Sequence, residues 1–439
     1  MMIQEMQIAC ERVAAVMAVA IADFAAKVKL ALAAAAAIAT LLALTGAAHA
    51  AVDKAAVEQA FHVWIDASLW PDAKAAGVSR GVFNAAFSGI ALDWTMPELQ
   101  PPGAPPTLPP NTAQAEFQTP GAYFGEKNLN ALAVAGARLL GQWKQTLAAI
   151  QKRYGVQPAI LVAIWAKETG YGSEKLPKLV IPALATEAFM GLRKDYFRGE
   201  LIAALEMLQR GGVTSAEMRA SWAGAMGQSQ IMPSEFLTTA VDFDGDGKID
   251  IWNSVPDSLA TTARLIEAQG WQGNRGWGVE AKVPAAVACT LEGPAQGKPV
   301  ATWAKLGVTR VDGKPLPADS GNDYLLMPAG RLGPAFIVTD NFYRLKAYNN
   351  SDLYALYIGE LSDRFARNAP FAGTWSAATD FSRTDVKAMQ DRLVAAGYDV
   401  GKADGLVGFK TRIAVGLWQA KHGEPATCWP SAKDVQTIR

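Results

Sequence analysis

The segment PAILVAIWAKETGYG, Pro158 to Gly172, limits this chain more than any other. Pro158 suits the first turn of a helix, where its missing N–H costs nothing. Leu161, Ile164, Trp165 and Glu168 follow at i, i+3, i+4 and i+7, so they share one helical face. That face is apolar except for a single carboxylate. Gly170 and Gly172 act as helix-stop residues and put Glu168 in the last turn. Burial among apolar groups and the negative end of the helix dipole both disfavour the ionised form there. A carboxyl so placed stays protonated near neutral pH, as a general acid must. The plain structural reading is a Glu that caps the helix or pairs with Lys167 or Arg193.

A chain of 439 residues is long enough for two or three domains, each with its own core. Its 41 basic residues are matched by 41 acidic ones, so the basic excess of a nucleic-acid binder is missing. Thirteen Trp and ten Tyr suit a polymer such as a glycan, because flat rings stack on sugar faces.

Residues 1–50 read as an export signal. Lys27 and Lys29 precede an Ala/Leu-rich run, Leu30 to Leu44, and Ala48-His49-Ala50 is a small-x-small cleavage site. The expectation is cleavage after Ala50 and a periplasmic protein, with membrane attachment only if the segment stays uncleaved. Cys10 lies before the apolar run, which disfavours a lipoprotein anchor. Beyond the signal only Cys289 and Cys428 remain, and cysteine arithmetic leaves open whether they pair. His62 and His422 are the histidines beyond it, which leaves little for a Ser-His-Asp or zinc hydrolase.

The pattern predicts a mainly α (α+β) chain. Val52 to Ala91 forms one or two helices with Phe61, Trp64, Ile65 and Leu69 on the apolar face. Pro101 to Pro110 is a proline-rich linker or strap. Leu129 to Tyr154 reads as one helix, and Arg198 to Leu208 as another closed by Gly211-Gly212. Short strands and loops are expected between Val279 and Thr339. Asn349-Asn350-Ser351 is an N-cap cluster, followed by a face of Leu353, Leu356, Tyr357 and Leu361. A domain boundary falls at Ala369 to Thr379. Expected domains are thus 51–372, with a β-rich insertion near 279–339, and 377–439.

Two further stretches carry chemistry. SWAGAMGQSQ, Ser221 to Gln230, has small residues that let backbone approach a ligand, with Ser221 and Gln230 as hydrogen-bonding groups. A tight helix–helix contact explains it equally well. DFDGDGKIDIWN begins at Asp242 and matches the oxygen spacing of a calcium loop: Asp242, Asp244, Asp246, the Lys248 carbonyl and Asp250. Asn253 stands where a bidentate Glu is usual, and Asp257 can complete the shell. One unpaired loop of this kind implies a single structural Ca2+, and nothing calls for an organic cofactor.

ETGYG at Glu168, SWAGAMG at Ser221, MPS at Met232, AVDFDGDG at Ala240 and YNNSDLYA at Tyr348 occur in the order seen in lytic murein transglycosylases of the membrane-bound B type. The chain resembles that family over about residues 120–365. Val386 to Trp418 resembles the peptidoglycan-binding repeat, a small three-helix module. The resemblance implies a lysozyme-like helical domain acting on peptidoglycan glycan strands. Such a domain cleaves the β-1,4 bond between N-acetylmuramic acid and N-acetylglucosamine without water and leaves a 1,6-anhydro end. It implies Glu168 as the catalytic acid/base, Ser221, Gln230, Tyr348 and Asn349 along the sugar subsites, and the Asp242 loop as a calcium site. An extra residue before Asp257 departs from the family's spacing. Glu174 and Glu187 are the second-carboxylate candidates by sequence. A hydrolytic muramidase and a non-catalytic wall-binding scaffold are the competing readings.

Overall fold

The computed structural model describes residues 52–104, 119–318, 321–376 and 381–438. The expected export signal and residues 105–118, which hold the second half of the proline-rich stretch, lie outside the described residues. Among the described residues no helix is long and apolar enough to cross a membrane.

Helix α1 (Lys54–Trp64) runs through a π-helical turn, Ile65–Leu69, into α2 (Trp70–Ala75), and α3 (Arg80–Ala86) follows. Phe61, Ile65 and Leu69 are buried as their spacing predicts, while Trp64 is half-buried. The expected helix from Leu129 to Tyr154 is two helices, α4 (Glu126–Gln142) and α5 (Lys144–Tyr154). They part at Trp143, whose backbone leaves the helical region (φ −100°, ψ 18°). Apolar spacing persists across the bend, so the sequence pattern does not register it.

Helix α6 (Pro158–Thr169) starts at the proline and ends on Gly170, which takes the left-handed conformation (φ 54°, ψ 45°). Every residue from Ile160 to Ala166 is buried, so α6 is enclosed on all sides instead of presenting one apolar face. Next come α7 (Val180–Met190), α8 (Lys194–Arg210), α9 (Pro233–Thr239) and α10 (Val255–Ala268). A small antiparallel ribbon pairs β1 (Lys178–Leu179), just before α7, with β2 (Arg219–Ala220), between α8 and α9.

The insertion folds as expected into short strands: β3 (Gly278–Lys282), β4 (Lys298–Pro299), β5 (Thr309–Arg310), β6 (Asn322–Leu326), β7 (Pro328–Arg331) and β8 (Ala335–Val338). A short helix, α11 (Val300–Lys305), interrupts them. The sheet order is β4-β6-β8-β3-β5, antiparallel throughout, with Leu325 opposite Ile337 and Val279 opposite Ile337 on its other side. The chain then returns to helices α12 (Asp340–Asn349) and α13 (Asp352–Arg367), which pack with α4, α5, α6 and α10 in one core. Ser351 alone caps α13, accepting a hydrogen bond from Tyr354 N at 3.0 Å. Asn349 and Asn350 belong to the end of α12, with Asn350 left-handed at φ 51°.

The tail is a three-helix module: α14 (Arg383–Ala395), α15 (Phe409–Lys421) and α16 (Ala432–Thr437). Serines 382 and 431 open two of them as capping boxes with Asp385 and Asp434. Cys289 and Cys428 form a disulfide that ties the insertion to this module. Beside it, buried Arg412 donates to both oxygens of Glu292 at 2.9 and 3.0 Å and reaches Asp352 at 3.4 Å. Lys346 completes the cluster, 2.8 Å from Asp352.

Breaking a buried pair on one side strands the other charge, whereas replacing both with apolar groups is close to neutral. Arg412→Leu is therefore expected to cost about 3–5 kcal/mol in denaturant unfolding, and Glu292→Leu added to it to recover most of that loss. A double variant whose loss is the sum of the two single losses would show that the pair is not coupled.

Candidate active site

The site grows outward from the end of α6. Glu168 occupies its last turn, and the hydroxyl of Tyr354, from the first turn of α13, donates a short hydrogen bond to Glu168 Oε1. An edge of Glu168 remains accessible, but the groups packed around it are mostly apolar. Burial pushes the carboxyl up to about 7; the Tyr354 hydroxyl and the Lys167 ammonium pull it down, and Glu174 pushes it up. Tyr354 is fully buried, and burial with the adjacent Glu168 charge drives its hydroxyl well above the ordinary phenol range, so it stays a donor.

Tyr348 stacks on Tyr354, with ring centroids 6.1 Å apart and planes 4° from parallel. Its hydroxyl donates to the Ser229 carbonyl at 2.5 Å. Through these two rings α12 and α13 join Glu168 to the loop from Ser221 to Gln230.

That loop is neither a helix nor a helix–helix contact. Met226 and Ile231 exchange backbone hydrogen bonds at 2.8 and 2.9 Å, and Ser221 N donates to Ala225 O at 2.9 Å. Gly227 has φ 66°, and a Cβ there would stand 2.6 Å from the Ile251 carbonyl. Gly224 packs as tightly on Leu184. These two glycines serve packing, whereas the sequence suggested room for a ligand. Gln230 holds a left-handed backbone (φ 54°) without being glycine, and its amide donates to Gly227 O at 3.0 Å. Ser221 is half-buried at the loop's start, and Asn349 is exposed at the end of α12.

Gln228 fastens the loop on both sides. Its side-chain oxygen accepts from Trp165 Nε1 at 2.9 Å, and its carbonyl accepts from Thr169 Oγ1 at 2.6 Å. Its own amides donate to Ile251 O and Trp252 O at 2.9 and 3.1 Å. The segment that follows Asp242 is thus tied to α6 through one glutamine.

Asp242, Asp244 and Asp257 bring carboxylate oxygens within 4.8 Å of one another. Asp257 is fully buried in the first turn of α10 and accepts the amides of Phe243 and Asp250 at 2.8 and 2.9 Å. The extra residue before it does not keep it away from the loop. Asp246 accepts the amide of Lys248 at 2.8 Å, and Asp250 accepts those of Trp252 and Asn253 at 3.0 and 2.9 Å. The Lys248 ammonium turns to Glu217 at 3.2 Å.

Of the two second-carboxylate candidates, Glu174 is exposed on the turn after α6. Glu187 is buried within α7, where the charges acting on it are Glu98 and Arg193. Tyr354 is the partner of Glu168 that sequence reasoning missed. It lay inside the YNNSDLYA motif, but counting the apolar face of α13 passed over it.

Residues 60–363 match the family model for the transglycosylase SLT domain, and residues 382–427 match that for a peptidoglycan binding domain. The chain belongs to the SLT-domain transglycosylase family. It is 30% identical over 239 residues to membrane-bound lytic murein transglycosylase B of Escherichia coli, a match covering 53% of this chain and 63% of that protein. The crystal structure of SltB3 from Pseudomonas aeruginosa with NAG-anhNAM-pentapeptide is 36% identical, with a TM-score of 0.75 over 86% of this chain and 99% of that one. E. coli Slt35 in complex with calcium is 29% identical, with a TM-score of 0.50 over 58% of this chain and 80% of that one.

A carboxyl raised from 4.5 to about 7 binds its proton longer in the folded state than in the unfolded chain. Stability from this group is present below pH 4.5 and is lost as pH rises towards 7, by up to about 3 kcal/mol. Glu168→Gln, neutral at every pH, is expected to be the more stable protein at pH 8 and to lose that advantage at pH 4. Parallel stability curves for the two proteins would contradict the shifted carboxyl.

Proposed function

We propose that this protein is a lytic transglycosylase of the cell envelope that cuts the β-1,4 bond between N-acetylmuramic acid and N-acetylglucosamine in peptidoglycan without water. The observation that carries the reading is one desolvated carboxyl, Glu168, held by a buried tyrosine beside a folded polar loop. Glu168 in its protonated form donates to the leaving glycosidic oxygen. The muramyl N-acetyl oxygen supports the developing positive charge at C1, in place of a second carboxylate. The Glu168 carboxylate then accepts the proton of the sugar's own 6-hydroxyl as that oxygen closes on C1, giving the 1,6-anhydro ring. Tyr354 keeps Oε1 oriented through both halves. Ser221, Gln230, Tyr348 and Asn349 line the sugar subsites.

Asp242, Asp244 and Asp257 suit one Ca2+, since oxygens bound at about 2.3–2.6 Å lie within 5 Å or so of each other. The ion would neutralise three clustered carboxylates and hold the loop that Gln228 ties to α6. The tail module binds the wall polymer. Residues 1–50 direct export to the periplasm, with domains at 51–372 and 377–439.

Mass spectrometry of products from purified peptidoglycan tests the reaction. Anhydro ends are expected from the native protein, with a loss of about 10²–10⁴-fold in Glu168→Gln. Reducing ends would mean a hydrolase, and tight binding without products a scaffold. Chelation by EDTA is expected to lower the melting temperature by several degrees, because an ion bound to the folded state alone stabilises it. Asp257→Asn should remove that sensitivity; a chelator-insensitive native protein would sink the calcium assignment.

A further inference from the structure

Lys167 precedes Glu168 on α6, and α13 meets both. Tyr354 bonds Glu168, and Tyr357, three residues on and so on the same face of α13, receives Lys167. The Lys167 ammonium lies 4.6 Å from the centre of the Tyr357 ring and 4.4 Å from that of Tyr123. The two rings meet edge to face, 5.7 Å apart with planes at 87°. Tyr123 is in turn followed by Phe124, which stacks on Trp375 at 5.2 Å, so the cage rests on packed aromatic groups. A lysine on a four-carbon stem ordinarily samples many rotamers. Two ring faces confine this one.

The groups facing Glu168 are few. Tyr354 and Tyr348 are neutral phenols from α13 and the end of α12, Glu174 is an exposed acid on the following turn, and Lys167 is the cation. Glu168 must give a proton in the first half of the proposed reaction and take one back in the second. Burial alone favours the first task and works against the second. A cation on the adjacent residue, with its ammonium held by two rings, offsets part of that bias.

We infer that Lys167, caged by Tyr123 and Tyr357, is a positioning residue that sets the balance between the protonated and ionised forms of Glu168. The inference rests on Glu168 being the acid/base. Lys167 touches no reacting atom and acts through the field it places on the carboxyl.

The test is the pH dependence of kcat/KM for anhydro-product formation by the full-length exported protein, in Lys167→Met, Lys167→Arg and Glu168→Gln. Methionine keeps the apolar stem and removes the charge. Because the starting enzyme needs Glu168 protonated, activity falls as pH rises through its pKa. Removing the cation raises that pKa, so the alkaline limb in Lys167→Met is expected to move up by about half to one pH unit. Lys167→Arg, which keeps a cation over the rings, should return the limb to its native place. A uniform fall in rate with the limb unmoved would make Lys167 structural and overturn the inference. If Lys167→Met turns over too slowly to profile, 13C NMR titration of the Glu168 carboxyl in both proteins reads the same shift, and identical titrations overturn the inference. Full activity in Glu168→Gln would remove the acid/base reading itself, an outcome distinct from either Lys167 result.

Discussion

A carboxyl at the end of a largely buried helix is a demanding object to build. Desolvation disfavours its charge, and the helix end adds to that. The surrounding helices answer with one hydrogen bond and one cation: α13 supplies Tyr354, and α6 itself supplies Lys167 between two tyrosine rings. Enclosure of α6 by α4, α5, α10 and α13 is therefore more than core formation, because it fixes the dielectric in which Glu168 titrates. A looser core would let water in and return the carboxyl to its ordinary range.

The loops inherit their geometry from the same helix. Trp165 and Thr169, one turn apart on α6, both bond Gln228, and Gln228 bonds the backbone at Ile251 and Trp252. The turn that carries Glu168 is thereby tied to the polar loop and to the acidic loop. Asp257 plays the matching part below: fully buried, it gathers the amides of Phe243 and Asp250 while one of its oxygens lies near Asp242 and Asp244. Gln228 and Asp257 both bond backbone groups of these segments, which lets irregular chain hold one conformation.

The three-helix module is fastened rather than tethered. A disulfide across 139 residues and a buried Arg412–Glu292–Asp352 cluster hold it against the insertion and the start of α13. Closing so long a loop removes unfolded-state entropy equivalent to about 4–5 kcal/mol, which offsets part of the desolvation of three charges. Asp352 opens the helix that carries Tyr354 two residues later, so module and candidate active site share one helix N-terminus.

What could be read from sequence alone was local. Pro158 and Gly170 bracket a helix, so Glu168 had to lie in its last turn; the Asp spacing after Asp242 was equally legible. What stayed hidden spans long stretches of chain: Tyr354 meets Glu168 across 186 residues, and Cys289 meets Cys428 across 139. The break at Trp143 was invisible because apolar periodicity runs through it, and Gly224 and Gly227 could be assigned to packing only once Leu184 and Ile251 stood against them. Turns, caps and helix ends are encoded by neighbours within a few residues, whereas burial and pairing depend on which distant side chains the core brings together. The sequence by itself determined where the carboxyl and Lys167 sit on their helix; the tertiary structure decided the carboxyl's solvent and its hydrogen-bond donor, because both come from helices far along the chain.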